Sequence, residues 1–248
     1  MKKIKNLSAL IGMAFCCLIV LSANVNAQLL VNEVLSDPPN QVGDRCQYVE
    51  LRGTAGAAIP ANTYFISINS DTSNPGFLSA AVNVGGQTIG ANGTVTLLNT
   101  VGGACPNRAY AAGTTIVNYF AGLTLGQGSE GFYLVTSTTA LFAGQDLDTN
   151  NDGVLDVAVT FIDGFNYIFN PEEQFVYGPG PVLNTIFGGD VPDAATRFPG
   201  NNTVFSAGAF YFGELAAEPE ETLTYAAPFS ANFPAGGMLT PGAPNVGI

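Results

Sequence analysis

From residue 29 onward, short runs of apolar, aromatic and β-branched residues alternate with clusters of Gly, Pro, Asn and Asp. Eight runs have strand length: Leu29–Leu35, Tyr48–Arg52, Tyr64–Asn69, Thr94–Leu98, Thr115–Phe120, Phe132–Thr136, Val157–Ile162 and Ala209–Phe212. Such side chains fit the pleated surface of a sheet, and the flanking turn-formers end each run. In Tyr64–Asn69 the alternation places Ile66 and Ile68 toward a core and Ser67 and Asn69 toward solvent. Asn92-Gly93, just before Thr94–Leu98, is a hairpin-type turn. No stretch holds a 3.6-residue apolar period over three turns, so helices are few. Asn184–Phe198 and Glu214–Thr224 read as loops. The pattern predicts an all-β fold, an antiparallel β-sandwich with long loop insertions.

The first 27 residues follow a different pattern. Lys2, Lys3 and Lys5 precede an apolar run, Leu10–Leu21, and Val25-Asn26-Ala27 supplies small residues before Gln28. This is the arrangement of a secretory signal peptide over residues 1–27. The apolar run is short against the roughly 20 residues of a bilayer span. Cys16 and Cys17 lie within it without the small residues of a lipoprotein cleavage box. No later stretch approaches spanning length. Residues 28–248 are then a single mature domain, without linker or internal repeat, expected to be secreted or at the cell surface with no membrane span.

Cleavage there changes the charge and the chemistry available. The whole chain carries 7 basic and 19 acidic residues, and the leader holds every lysine. The remainder keeps Arg45, Arg52, Arg108 and Arg197 against 19 acids, a balance of −15. Such a surface repels phosphate backbones, which argues against nucleic-acid binding. Without lysine or histidine, the imidazole acid–base group and the amine nucleophile are absent. Two cysteines remain, Cys46 and Cys105; in an oxidising compartment a disulfide is the simplest account. Zinc would need further Cys or His ligands, which do not exist here.

Two ends of this region carry a recognisable set of motifs. Leu30-Val31-Asn32-Glu33-Val34-Leu35 followed by Tyr48-Val49-Glu50-Leu51 resembles the opening of bacterial lamin-tail domains. Thr240-Pro241-Gly242-Ala243-Pro244-Asn245 is similar to the segment that closes them. Gly128–Val135 and Asp193-Ala194-Ala195-Thr196-Arg197-Phe198 resemble the family's later Gly-bearing strand and its Ser/Thr-Arg segment. Arg52-Gly53 departs from the pattern, since Asn commonly follows the Glu-Leu pair. The resemblance spans about Leu29 to Asn245. It implies an immunoglobulin-like sandwich in an exported, non-catalytic binding or structural module, and it transfers no catalytic residue.

Three groups of residues could carry chemistry. Asp146, Asp148, Asn150, Asp152, the Val154 carbonyl and Asp156, with Gly153 at the turn, are spaced like the first half of a calcium loop. The position of the terminal bidentate glutamate holds Val159 instead. The alternative is a solvated Asx turn without an ion. Glu33 and Glu50 could be an acid–base pair of a glycoside hydrolase, or could cap loop amides or pair with Arg52 or Arg197. Glu172-Glu173 and the Glu218, Glu220, Glu221 group read as solvated turns. Phe161, Phe165, Tyr167 and Phe169, with Phe210-Tyr211-Phe212, could stack on sugars, but core packing is the stronger reading, since a large sandwich needs big apolar side chains. Two classes therefore stand: an exported module whose partner is an extracellular protein or a polysaccharide, and a carboxylate-based glycosidase or carbohydrate-binding module.

Overall fold

The computed structural model describes residues 28–39, 46–99, 105, 109–119, 124–170, 174–183, 191–216 and 222–247. The expected leader, residues 1–27, lies outside them, as do Arg45, Arg108, Glu172, Glu173, Glu218, Glu220 and Glu221. The strands are β1 (Leu30–Leu35), β2 (Tyr48–Arg52), β3 (Thr63–Asn69), β4 (Leu78–Asn83), β5 (Thr94–Asn99) and β6 (Thr115–Tyr119). They continue with β7 (Glu130–Thr136), β8 (Thr160–Tyr167), β9 (Ala194–Arg197), β10 (Phe210–Leu215) and β11 (Tyr225–Pro228). A single 3-10 turn, Ala207–Ala209, leads into β10. Among the described residues no helix is long and apolar enough to cross a membrane.

The strands form two packed sheets, a seven-stranded one in the order β11-β10-β9-β1-β2-β5-β6 and a four-stranded one in the order β4-β3-β7-β8. The expected all-β sandwich is therefore present. Neighbouring strands pair antiparallel, except that β5 and β6 run parallel. A parallel pair needs a long crossover, and the chain between Asn99 and Thr115 supplies it. That crossover carries Cys105, which is joined to Cys46 with Cα atoms 5.0 Å apart.

The inner strands of both sheets are buried on both faces, which alternation alone did not reveal. Between them lies a core of Val31, Val34, Val49, Leu51, Val95 and Leu97 against Phe65, Phe132, Leu134, Phe165 and Tyr167. On the outer side of the smaller sheet, Tyr64, Ile66, Ile68, Tyr133 and Val135 pack under Leu141, Leu147 and Tyr177. On the outer side of the larger sheet, Leu35, Tyr48, Ala194 and Tyr211 pack under Leu239, with Leu223 and Phe233 beside them. Among the described residues, the segments carrying Leu141, Leu147 and Tyr177 and those carrying Leu223, Phe233 and Leu239 are thus lids over sheet faces.

This layering corrects several sequence expectations. Ile66 and Ile68 face the outer cluster, whereas Phe65 faces the inter-sheet core and Ser67 is fully buried. Strand β8 starts three residues later than expected and runs to Tyr167, because Val157 and Val159 belong to the lid. Strands β4, β9 and β11 were not anticipated. Within the expected loop 184–198, Ala194–Arg197 is a wholly buried strand between β1 and β10. Its two alanines have weak strand preference, and the neighbours on either side override it. The aromatic runs are mostly core: Phe165 and Phe210 meet edge-on at 5.0 Å. Phe169 is the exception, at 55% exposure.

The disulfide closes a loop of 59 residues, and loop-closure entropy sets its worth at about 4 kcal/mol. Cys46→Ser/Cys105→Ser is expected to lower unfolding free energy by up to that amount while leaving far-ultraviolet circular dichroism of the folded protein unchanged. A double variant as stable as the parent in denaturant titration would refute this.

Candidate functional site

A bulge in β1 builds the most densely connected polar site. Pairing with β2 shifts register between Val31 and Glu33, so Asn32 is the extra residue and two successive polar side chains serve one junction. Glu33 and Glu50 are directly opposed across the two strands, and both are fully buried. Glu33 accepts hydrogen bonds from the Tyr48 hydroxyl (2.8 Å) and the Thr240 amide (3.1 Å). Glu50 accepts from Asn32 Nδ2 (2.5 Å) and from the Gly242 amide. Asn32 Nδ2 also donates to Asn245 Oδ1 (3.2 Å), and Asn245 Nδ2 donates to the Arg197 carbonyl (2.6 Å). The opening strands and the closing segment 240–245 are therefore one hydrogen-bonded unit.

Gly242 is required at its position. Its φ of +73° lies in the left-handed region, and a Cβ there would meet Thr114 Oγ1 at 2.2 Å. This close approach brings the Gly242 amide onto Glu50.

Burial pushes the Glu33 carboxyl well above its ordinary value, and the neighbouring Glu50 charge pushes it further. Burial also raises Glu50, against the pull of the Gly242 amide, Asn32 and Arg52. The pair therefore resists double ionisation. Of the sequence alternatives, amide capping is the one this geometry carries out. Arg197 pairs elsewhere, and Arg52 donates from Nη2 to the Asn201 carbonyl (2.6 Å) and to Asn202 Oδ1 (3.0 Å).

Arg197 instead crosses the sandwich. Its Nη2 meets Asp163 Oδ2 at 2.6 Å, with both side chains fully buried, joining β9 of the large sheet to β8 of the small one. Nε donates to the Val31 carbonyl (2.7 Å), Nη1 to the Thr203 carbonyl (2.8 Å), and the guanidinium lies 4.3 Å over the Phe210 ring. Asp163 Oδ2 also accepts from the Val31 amide at 2.9 Å. Burial pushes the Asp163 carboxyl up and the Arg197 guanidinium down. These directions oppose the short contact, and the contact decides. A guanidinium titrates so far above neutrality that it keeps its proton, and its charge holds Asp163 ionised.

Residues 146–156 form a closed Asx-turn ladder. Asp148, fully buried, accepts from the amides of Asp152 (3.1 Å) and Gly153 (2.8 Å) and from the Tyr177 hydroxyl (2.7 Å). Burial alone would raise this carboxyl; Tyr177 and the Gly153, Asp152 and Asn151 amides outweigh it and hold it low. Asp146 accepts from the Asp148 amide (2.9 Å), Asp152 from the Val154 amide (2.9 Å), and Asp156 from the Thr149 amide (2.8 Å). Asn150 Nδ2 donates to Asp152 Oδ2 (3.0 Å), and the Val154 side chain is 66% exposed. Donors, rather than open oxygens, converge on Asp148. Among the described residues no three acidic, His or Cys side chains gather in a metal-holding group. The expected calcium ligands share one loop, closed by its own hydrogen bonds.

Glu130, in the Gly-bearing strand, was not singled out from sequence. It is buried and accepts from Ser67 Oγ at 2.7 Å. Burial raises its carboxyl to about 7, against weaker pulls from Ser79 and Ser67. A lone acid in an otherwise apolar run (Glu130, or Asp163 in β8) was the available signal.

Comparison of the chain with protein-family models, curated proteins and solved structures finds no match.

Two expectations follow. The first concerns pH. Between about 4.5 and 7 the folded chain keeps a proton on Glu130 that the unfolded chain has released, so stability falls as pH rises through that window. Glu130→Gln should flatten the slope by up to about 1.4 kcal/mol per pH unit and stabilise the protein at pH 8. Unchanged denaturation midpoints across pH 5–8 would contradict it. The second concerns the loop. Asp148→Asn should cost about 1–3 kcal/mol in calcium-free buffer, since buried donors lose a charged acceptor. A melting-temperature rise with calcium but not magnesium, lost in Asp152→Ala, is the result that would establish an ion there.

Proposed function

We propose that this chain is a non-catalytic, exported module of the lamin-tail type, acting in binding or structure at the cell surface or outside the cell. The observation that carries this reading is the fate of the paired glutamates. A hydrolytic pair must reach a substrate, yet Glu33 and Glu50 are sealed beneath residues 240–245 and hold the Thr240 and Gly242 amides. The residues on which the lamin-tail resemblance rests, Asn32-Glu33, Tyr48–Leu51 and Thr240–Asn245, meet at this same junction. The disulfide supports an oxidising compartment. The negative surface left after removal of the leader favours dispersal in water rather than contact with nucleic acid.

Expression of the full chain in a bacterial host with a secretory pathway tests the reading. The expected outcome is an exported protein beginning at Gln28, with no hydrolysis of polysaccharides. An uncleaved intracellular product would refute export. Hydrolysis abolished by Glu33→Gln or Glu50→Gln would refute the non-catalytic assignment and favour the glycosidase.

A further inference from the structure

The turn that follows β9 separates two cavities. One is an open cleft of about 730 Å³ walled by Phe198, Pro199, Asn201, Asn202, Thr203 and Asn232, with Gly208 on its floor. The other is a side pocket of about 180 Å³ walled by Asn32, Arg52, Asn92, Thr94 and Pro244. Pro199 and Gly200 belong to both, so the two are neighbours. Arg52 bonds to Asn201 and Asn202 and so fixes the shared wall. The cleft is within the roughly 300–1,000 Å³ of ordinary ligand sites.

The chemistry of these walls is uniform. Although the chain carries 19 acidic residues, none of the described residues that line the two cavities is acidic, and among them Arg52 is the single charged contributor. What remains is amides and hydroxyls, each able to donate or accept, beside the exposed ring of Pro199. Asn32 in the side pocket is 2% exposed; its Nδ2 is engaged by Glu50 and Asn245, while its Oδ1 has no partner. That oxygen is closed to solvent, so the polar groups a ligand reaches in this pocket are Arg52 and Asn92.

We infer that the cleft and side pocket form a binding site for a neutral polysaccharide, one sugar unit placing a hydroxyl or amide substituent against the half-buried Arg52. Sugar rings present apolar C–H faces and hydroxyl edges, matching the exposed Pro199 ring bordered by Asn201, Asn202, Thr203 and Asn232. Acidic polysaccharides are disfavoured by the net negative chain. An extended peptide is disfavoured because turn residues 198–203, not an open strand edge, line the cleft. This inference rests on the proposed non-catalytic role and names its ligand class.

The test uses the full mature protein with hexasaccharides of β-1,4-glucose, β-1,3-glucose and β-1,4-N-acetylglucosamine, an acidic oligogalacturonate and an extended neutral peptide. Gly208→Leu is the blocking variant. A Cβ there has only Ser206 Oγ nearby, at 3.8 Å, and needs no left-handed backbone. Gly128→Leu, equally open and absent from both linings, is the control. The expected result is saturable binding of at least one neutral hexasaccharide by calorimetry. Gly208→Leu should weaken it at least about tenfold at unchanged melting temperature, while Gly128→Leu should not. No binding of any neutral hexasaccharide, equal binding by Gly208→Leu, or preference for the oligogalacturonate or the peptide would overturn the assignment. Cleavage of the bound sugar would overturn only the non-catalytic reading, so the two proposals fail separately.

Discussion

Apolar surface holds two sheets together but does not say how they should sit, because burial of hydrocarbon is non-directional. The ion pair between Arg197 and Asp163 supplies that direction. It crosses the inter-sheet space at 2.6 Å, and three acceptors and an aromatic face surround its guanidinium. Two buried charges cost several kcal/mol each to desolvate and recover it only in good geometry. Any sliding of β8 past β9 would strand both charges in the core. Breaking the pair from one side would leave an uncompensated ion, a loss of about 3–5 kcal/mol by comparison with other buried pairs. The contact therefore selects one docking of the sheets, whatever its net stabilisation.

From Arg197 the constraint spreads through the backbone. Its Nε bonds the Val31 carbonyl, just before the β1 bulge, and its own carbonyl accepts Asn245 from the closing segment. That segment is in turn tied to Glu33 and Glu50. First strand, central strand and last segment are thus fixed at one place, with sequence separations such as 213 residues between Asn32 and Asn245. A fold closed by contacts this distant in sequence must form much of the sandwich before the junction can assemble.

What could be read from sequence follows from what periodicity measures. Runs such as Tyr48–Arg52 and Thr94–Leu98 were legible because β-branched and aromatic residues sat between strong turn-formers, and strands occupy them. The facing of Ile66 and Ile68 was not, because a strand buried on both sides offers no solvent face to orient it. Ala194–Arg197 was missed for the complementary reason: its strand state is imposed by β1 and β10 rather than by its own residues. Cys46 and Cys105 were legible as a pair, whereas Glu33 and Glu50 were legible as candidates and their hydrogen-bond partners were not. Nothing local in the sequence says that Gly242, 192 residues away, will donate to Glu50. The side pocket was invisible for the same reason, since residues 32, 52, 92 and 199 meet only in the folded chain.

The buried acids make a final point about a chain whose described residues include a single fully buried cation. Glu33, Glu50, Glu130, Asp148, Asp163 and Asp193 are all buried. With no lysine beyond the first five residues, most of them are stabilised by backbone amides instead of by salt bridges. Thr240 serves Glu33, Gly242 serves Glu50, Gly153 serves Asp148, Val31 serves Asp163, and Leu215 serves Asp193. In four of the five cases the donor lies in a loop or at a strand end, so each carboxylate determines where a connecting segment must pass. Glu130 receives the Ser67 hydroxyl rather than such an amide, and burial carries its carboxyl to about 7. Glu33 and Glu50 are therefore the attachment points of the closing segment 240–245, which passes where their carboxylates hold its amides.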